Sequence, residues 1–288
     1  MKITAKNLTL DLLMARRTPT TSVRYLLASA SLFGIPANNL RVTLARLGTE
    51  GLIESAGRGM YRLTAHANEL AREVGTWRNA AERLRPWAGP YITVHCGALG
   101  RSDRAALRLR DRALHMTGLQ ALEKGLYLRP DNLEGGIEAL RARLHTLGLE
   151  AQASVFLSSQ HSMDQEMRIR RLWDSNALNT RYRQLKAEMK EWTRRWERLP
   201  IEDAARESYQ LGGHAIRHVV FDPLLPPPLV DTAARESFMQ TVRDFDLLGR
   251  EIWARFHAQP WKPADADARC GADGGADRAD PVSTEAEA

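Results

Sequence analysis

Two cysteines in 288 residues, Cys96 and Cys270, make neither a disulfide framework nor a zinc spacing. That scarcity suits a reducing compartment, and the cytoplasm is the expected location. No apolar run approaches the ~20 residues that a membrane-spanning helix requires. The opening MKITAKNLTLDLLMARR is too polar and broken for a signal peptide, so no membrane partner is expected. Catalytic signatures are missing as well: there is no GxSxG elbow, P-loop, GxGxxG or HExxH. His214 and His218 stand four apart on an expected helix, a spacing that can bring two imidazoles to one metal, but no third ligand lies nearby. His95-Cys96 lacks an oriented acid, and a core thiol is the simpler reading of Cys96. The expectation is a protein that is not an enzyme and carries neither metal nor cofactor.

Charge is present but uneven. Residues 1–65 hold nine Lys/Arg against Asp11, Glu50 and Glu54, a net +6. From Gln259 onward seven Asp/Glu outweigh three Lys/Arg, a net −4. A polyanionic partner is therefore expected at the N-terminal end.

The densest pattern there is GIPANNLRVTLARLGTEGLIESAGRGMYRLT, residues 34–64. Leu40, Leu44, Leu47 and Gly51 fall at i, i+4, i+7 and i+11, one apolar stripe along a helix. Asn38 and Asn39 are expected to cap its start, and Gly51 to end it in the left-handed conformation. The opposite face carries Asn38, Asn39, Arg41, Val42, Thr43 and Arg46. Leu52-Ile53 and Met60–Leu63 then mark two strands joined at Gly57-Arg58-Gly59, with Arg62 beyond the tip. A basic helix followed by a basic hairpin has the shape of a winged helix-turn-helix, whose helix enters the major groove while the wing follows the backbone. These eight polar, cationic and apolar residues (Asn38, Asn39, Arg41, Val42, Thr43, Arg46, Arg58, Arg62) are the candidate DNA contacts. The same pattern also fits a small module with solvated arginines and no ligand.

Leu8, Leu12 and Leu13 predict a helix over 4–14, and Val23, Leu26, Leu27 and Ala30 another over 22–32, capped by Ser22, with Pro19 in the link between them. These complete a first domain, 1–65. Residues 66–86 read as a linker helix with Leu70, Val74, Trp77, Ala81 and Leu84 on one side, ended by Pro86. Residues 87–160 alternate strand (91–94), helix (101–117, with Ala105, Leu107, Leu109 and Leu114), strand (125–128), helix (137–147) and strand (153–157). That order fits a ferredoxin-like α/β domain. Residues 161–258 read as all-helical: Leu178, Tyr182, Leu185, Met189, Trp192, Trp196 and Leu199 form one stripe. Phe238, Val242, Phe245, Gly249, Ile252 and Phe256 form another. Residues 259–288, rich in Ala, Asp and Gly, are expected to be a disordered tail. The fold class is thus α+β and multidomain.

A family resemblance runs in register along these segments. Phe33-Gly34, Leu40-Arg41, Arg46-Leu47, Glu50-Gly51 and Tyr61-Arg62-Leu63-Thr64 resemble the winged-helix domain of the PaaX family, repressors of phenylacetate and related aromatic catabolism. Trp87-Ala88-Gly89 is similar to the entry of that family's central domain, and Gly125–Pro130 to the end of its central strand. Leu172-Trp173-Asp174 with Tyr182 looks like the start of its C-terminal domain, and Phe221–Leu229 is close to its Asp-Pro-x-Leu-Pro-x-x-Leu signature. The chain departs from the family in a shorter wing with one fewer Arg, in Leu52 where Trp is common, and in Ala88 for Asp. The resemblance implies a repressor of an aromatic-acid catabolic operon that binds double-stranded operator DNA. It also implies release by an aryl-CoA thioester such as phenylacetyl-CoA. His214 and Arg217, just before the Asp-Pro motif, are the candidate effector contacts. A lone winged helix reads few base pairs, so a homodimer on a palindrome is expected. The family's central domain resembles a CRISPR-associated ribonuclease fold that uses an Asp at the end of its first strand. Here that strand ends Val94-His95-Cys96-Gly97, which makes a metal-dependent nuclease the alternative and an assembly module the expectation. A scaffold that binds no DNA is a third possibility, and predicts unchanged nucleic-acid affinity on Arg41→Ala.

Overall fold

Leu8, Leu12 and Leu13 lie on one face of the first helix, α1 (Ala5–Ala15), and all three are buried. A two-residue strand, β1 (Thr21–Ser22), leads into α2 (Val23–Ser31), where the Ser22 side chain accepts from the Tyr25 N–H as the expected cap. Next comes α3 (Ala37–Thr49), with Leu40, Leu44 and Leu47 each at most 2% exposed. Its end is a Schellman turn: the Gly51 N–H donates to the Gly48 carbonyl and the Leu52 N–H to the Leu47 carbonyl, both at 3.0 Å. Gly51 sits at φ +68°, where a side chain would be strained. The start differs from the expectation. Pro36, not Asn38 or Asn39, is the cap residue, and no side chain caps this helix. Proline fixes an extended approach one residue before Ala37, so both asparagines are already inside the first turn.

The chain then forms β2 (Ile53–Ser55) and β3 (Met60–Leu63), antiparallel, around the Gly57-Arg58-Gly59 tip. Strand β1 adds to the far side of β3, a pairing too short for periodicity to reveal.

These coordinates come from a computed structural model that describes residues 3–260 apart from 16, 17, 19 and 101; the side chains of 70–74 and 76 also lie outside that description. The expected tail with Cys270 thus falls, from residue 261, outside the described residues, as do Pro19, Arg101 and the side chains of Leu70 and Val74.

The single linker helix expected over 66–86 is two pieces. α4 (Ala65–Gly75) gives way to a 3-10 segment, Thr76–Arg83, with non-helical backbone at Asn79. Gly75 and Thr76 are poor helix formers, and tighter winding turns both Trp77 and Ala80 into the core.

The central region folds as β4 (Tyr91–His95), α5 (Arg104–Met116), β5 (Gln120–Glu123), β6 (Leu126–Pro130), α6 (Gly136–Thr146) and β7 (Ser154–Ser158). Its sheet runs β5–β6–β4–β7, antiparallel throughout. Strand β5 was not expected, because Gln-Ala-Leu-Glu contains no β-branched or aromatic residue. Helix α5 starts later than expected, after Asp103, whose carboxylate accepts from the Ala105 and Ala106 N–H groups. Leu109, expected on its apolar face, is 48% exposed; Arg110 is buried instead, paired with Glu150. One face of the sheet sends Ile92 and Val94 against Ala113, Leu114, Leu140 and Leu144. The other sends Tyr91 and Leu128 into a second core.

Four helices follow: α7 (Met163–Arg170), α8 (Ser175–Arg195), α9 (Ile201–Val220) and α10 (Thr232–Ala258). The expected stripe on α8 is core, with Tyr182, Leu185, Met189 and Trp192 buried, and α10 packs along both α8 and α9. That core is continuous with the N-terminal one. The rings of Tyr25 (α2) and His257 (α10) stack at 3.6 Å, and His257 Nε2 lies 3.2 Å from Ser29 Oγ. From α9, Arg206 donates to the Leu32 carbonyl at 2.9 Å and the Tyr209 hydroxyl to Asp11 at 2.6 Å. Burial pushes the Asp11 carboxyl above its ordinary range. The fold is therefore mixed helix and sheet, with two small antiparallel sheets and a helical C-terminal region. Among the described residues, no helix is long and apolar enough to cross a membrane.

Candidate nucleic-acid interface

The leucine stripe of α3 faces inward, so its other face is left in solvent. Asn38, Asn39, Arg41 and Arg46 are exposed, and Val42 is 51% exposed among them. Thr43 is half-buried, and its hydroxyl donates to the Asn39 carbonyl at 2.8 Å. The helix start adds backbone N–H groups that no side chain caps. Arg58 stands exposed at the hairpin tip between two glycines at positive φ. Arg62 is exposed too but engaged: its Nε meets Glu54 Oε1 at 2.6 Å across the β2–β3 register.

The carboxylates close to this face are both occupied. Glu54 is held by Arg62, and Glu50 by Lys6 at 2.6 Å, a hydrogen bond that keeps the Glu50 carboxyl below its ordinary range. Arg41, Arg46 and Arg58 have no ion-pair partner among the described residues. The structure thus gathers helix and hairpin cations on one exposed unit, with its nearest acids already neutralised.

His214 and Arg217 lie elsewhere, both exposed on α9. His214 meets His218 edge to face at 4.7 Å, and burial lowers the pKa of His218. His214 borders an open groove of about 410 Å³ between α8 and α9. Glu188, Glu191 and Glu207 share that groove with one cation, Arg195, which pairs with Glu207 at 3.2 Å, so the setting is acidic on balance and disfavours phosphates. At the end of β4, Cys96 is buried, and burial raises its thiol, which disfavours the nucleophilic thiolate. Among the described residues no group of three or more His, Cys, Asp or Glu is placed to hold a metal.

A second polar cluster, which periodicity does not reveal, joins the central sheet to the turn after α9. Asp222 accepts from the Tyr182 hydroxyl at 2.6 Å and from the Leu224 N–H at 2.8 Å. Asn132 donates to the Leu224 carbonyl at 2.6 Å, and Arg129 to the Asn132 side chain at 3.1 Å and the Pro223 carbonyl at 3.3 Å. Arg235 donates to the Leu225 carbonyl at 2.6 Å. A Cβ on Gly118 would lie 3.0 Å from Pro223 Cα, a tight contact, and the φ of +73° there would strain any side chain, so glycine suits this close approach. Burial raises the Asp222 carboxyl and lowers Arg129 to about 9. The signal for this cluster was present in Arg129-Pro130 and Asp222-Pro223, but only as two unconnected motifs.

Residues 173–255 match the family model of the PaaX-like protein C-terminal domain. This bears out the resemblance read from Leu172-Trp173-Asp174, Tyr182 and the Asp-Pro motif. No curated protein matches the chain. Among solved structures, the uncharacterized protein Rv0674 from Mycobacterium tuberculosis is similar at 20% identity and a TM-score of 0.62, covering 89% of this chain and 100% of that one. At that identity the likeness speaks for the fold alone.

Proposed function

We propose that the protein is a DNA-binding transcriptional regulator whose N-terminal unit is a winged helix-turn-helix, with α3 in the major groove and the hairpin along the backbone. The observation that carries this is the α3 face: Arg41 and Arg46 exposed and unpaired among the described residues, beside asparagines that suit base edges. The PaaX-like match over 173–255 supports the regulator class. Asn38, Asn39, Arg41, Val42, Thr43 and Arg46 would face the bases. Arg58 would meet phosphate, and Arg62 would brace the wing through Glu54.

In this reading the central sheet is a ferredoxin-like domain, supported by its order β5–β6–β4–β7 with α5 and α6 on one face. It serves to couple and assemble rather than to cut. Repression of an aromatic-acid catabolic operon, release by an aryl-CoA thioester and action as a homodimer on a palindrome rest on the family resemblance. The acidic groove beside His214 argues for placing the effector elsewhere than His214 and Arg217.

Selection of duplexes from a random pool, followed by gel-shift titration, tests the reading. An enriched sequence bound at least ~1000-fold more tightly than bulk DNA is expected of a specific regulator. Failure to enrich any sequence overturns it.

A further inference from the structure

At the junction of linker, central sheet and C-terminal helices lies a small, partly open pocket of about 50 Å³. Three arginines border it, each from a different segment: Arg83 from the 3-10 linker, Arg129 from β6 and Arg143 from α6. Asp222 is the carboxylate on its wall, and Trp77 and Val219 supply apolar surface. Arg129 is 2% exposed. Every hydrogen bond it makes ends on a neutral oxygen: the carbonyls of Thr117, Pro130 and Pro223, and the Asn132 side chain. The Asp222 oxygens are already engaged by Tyr182 and Leu224. Arg143 has a buried Nε without a hydrogen-bond partner, and it makes no ion pair among the described residues.

Arg129 and Arg143 thus share this partly buried wall with the single carboxylate of Asp222, and Asp131, paired with Arg85, is the other acid that acts on Arg129; an unmatched cation held in such a place is costly. Burial, followed by the like charges of Arg83 and Arg143, is what depresses Arg129. Arg129 has at most one N–H left to give, whereas Arg143 brings spare donors to the pocket, and a guanidinium so placed is suited to receive two oxygens of one planar or tetrahedral group.

We infer that this pocket binds a small oxyanion, a carboxylate or a phosphate group, held by the Arg143 guanidinium with the Arg129 charge beside it. Its volume admits a group of a few atoms, since one water needs roughly 10–15 Å³ by the same kind of measure. It does not admit a whole CoA thioester. The Thr76–Arg83 wall follows directly from the hairpin through α4, so a ligand drawing Arg143 and Arg129 together also touches the segment that carries the N-terminal unit. That regulatory consequence rests on the DNA-binding reading; the anion site does not.

The test is calorimetric titration and thermal melting of the full chain, without DNA, at ionic strength matched with NaCl. The probes are inorganic phosphate, acetate and, as the uncharged counterpart, acetamide. Phosphate or acetate is expected to bind and raise the melting temperature, and acetamide to do neither. Arg143→Gln, at a half-buried position whose side chain makes no hydrogen bond or ion pair among the described residues, is expected to fold normally and weaken binding about tenfold or more, with Arg143→Lys between. Binding of phosphate alone points to a phosphorylated ligand, and of acetate alone to a carboxylic acid; either upholds the site. It is overturned if neither anion binds beyond the NaCl control, if Arg143→Gln binds as well as wild type, or if acetamide matches acetate. Gel shifts with the same variants are scored separately, so loss of the DNA reading leaves this result standing.

Discussion

On the α3 face, Arg41 and Arg46 stand in solvent without ion-pair partners among the described residues, whereas at the junction Arg129 and Arg235 are each 2% exposed and donate to backbone carbonyls. The same side chain serves opposite ends. A solvated guanidinium costs the fold almost nothing and remains available to a polyanion. A buried one must find acceptors within the protein, so it dictates how segments dock. Arg129 does this from the sheet to Pro223, across 94 residues of chain. Substitutions at the two places should therefore separate stability from binding.

The largest effect is expected at the buried end. Arg129→Ala leaves the Thr117 and Pro223 carbonyls and Asn132 without their donor, and should cost about 3 kcal/mol or more, read as a lowered denaturant midpoint. A wild-type midpoint would mean the junction is not held by that guanidinium. On the exposed face, Arg41→Ala or Arg46→Ala should weaken binding to a selected duplex by roughly 1–3 kcal/mol while melting stays unchanged. A drop in melting temperature together with binding would erase the contrast.

Between the extremes lies Arg110, buried against a partly exposed Glu150. The hydrogen bond from Arg110 holds the Glu150 carboxyl below its ordinary 4.5. For a carboxyl with a depressed folded pKa, the stabilisation is present above that ordinary value and fades as pH falls through the lower one. Glu150→Gln should cost about 1–2 kcal/mol near neutral pH, and the gap to wild type should close in acid. A gap that persists in acid would point to packing rather than charge. The smallest effect is expected from Arg58→Ala, which should weaken all duplexes alike and reduce the slope of log affinity against log salt by about 1.

Much of the α3 face was legible because its evidence is local. Leu40, Leu44 and Leu47 repeat with the helical turn, and the arginines between them must then face away. Ser22 as a cap was legible for the same reason, and the Asn38 and Asn39 caps misled because Pro36 sets the backbone earlier. Strand β5 was hidden, since Gln120–Glu123 becomes a strand only by pairing with β6. The junction was hidden more deeply. Arg129 sits opposite Ile92 in the sheet and would pass for a solvated strand residue; only the approach of Pro223 buries it. The PaaX-like signature around Asp222 marked the place without showing what it grips.

The most direct check on the proposed DNA-reading role of α3 is a gel-shift titration of wild type and the Arg41→Ala/Arg46→Ala double variant, against a selected duplex and a scrambled one, over a series of salt concentrations. Wild type should prefer the selected duplex and lose affinity as salt rises, while the double variant keeps its melting temperature and loses most of that preference. Superimposable titrations for the two proteins would contradict the assignment of α3 as the element that meets the bases.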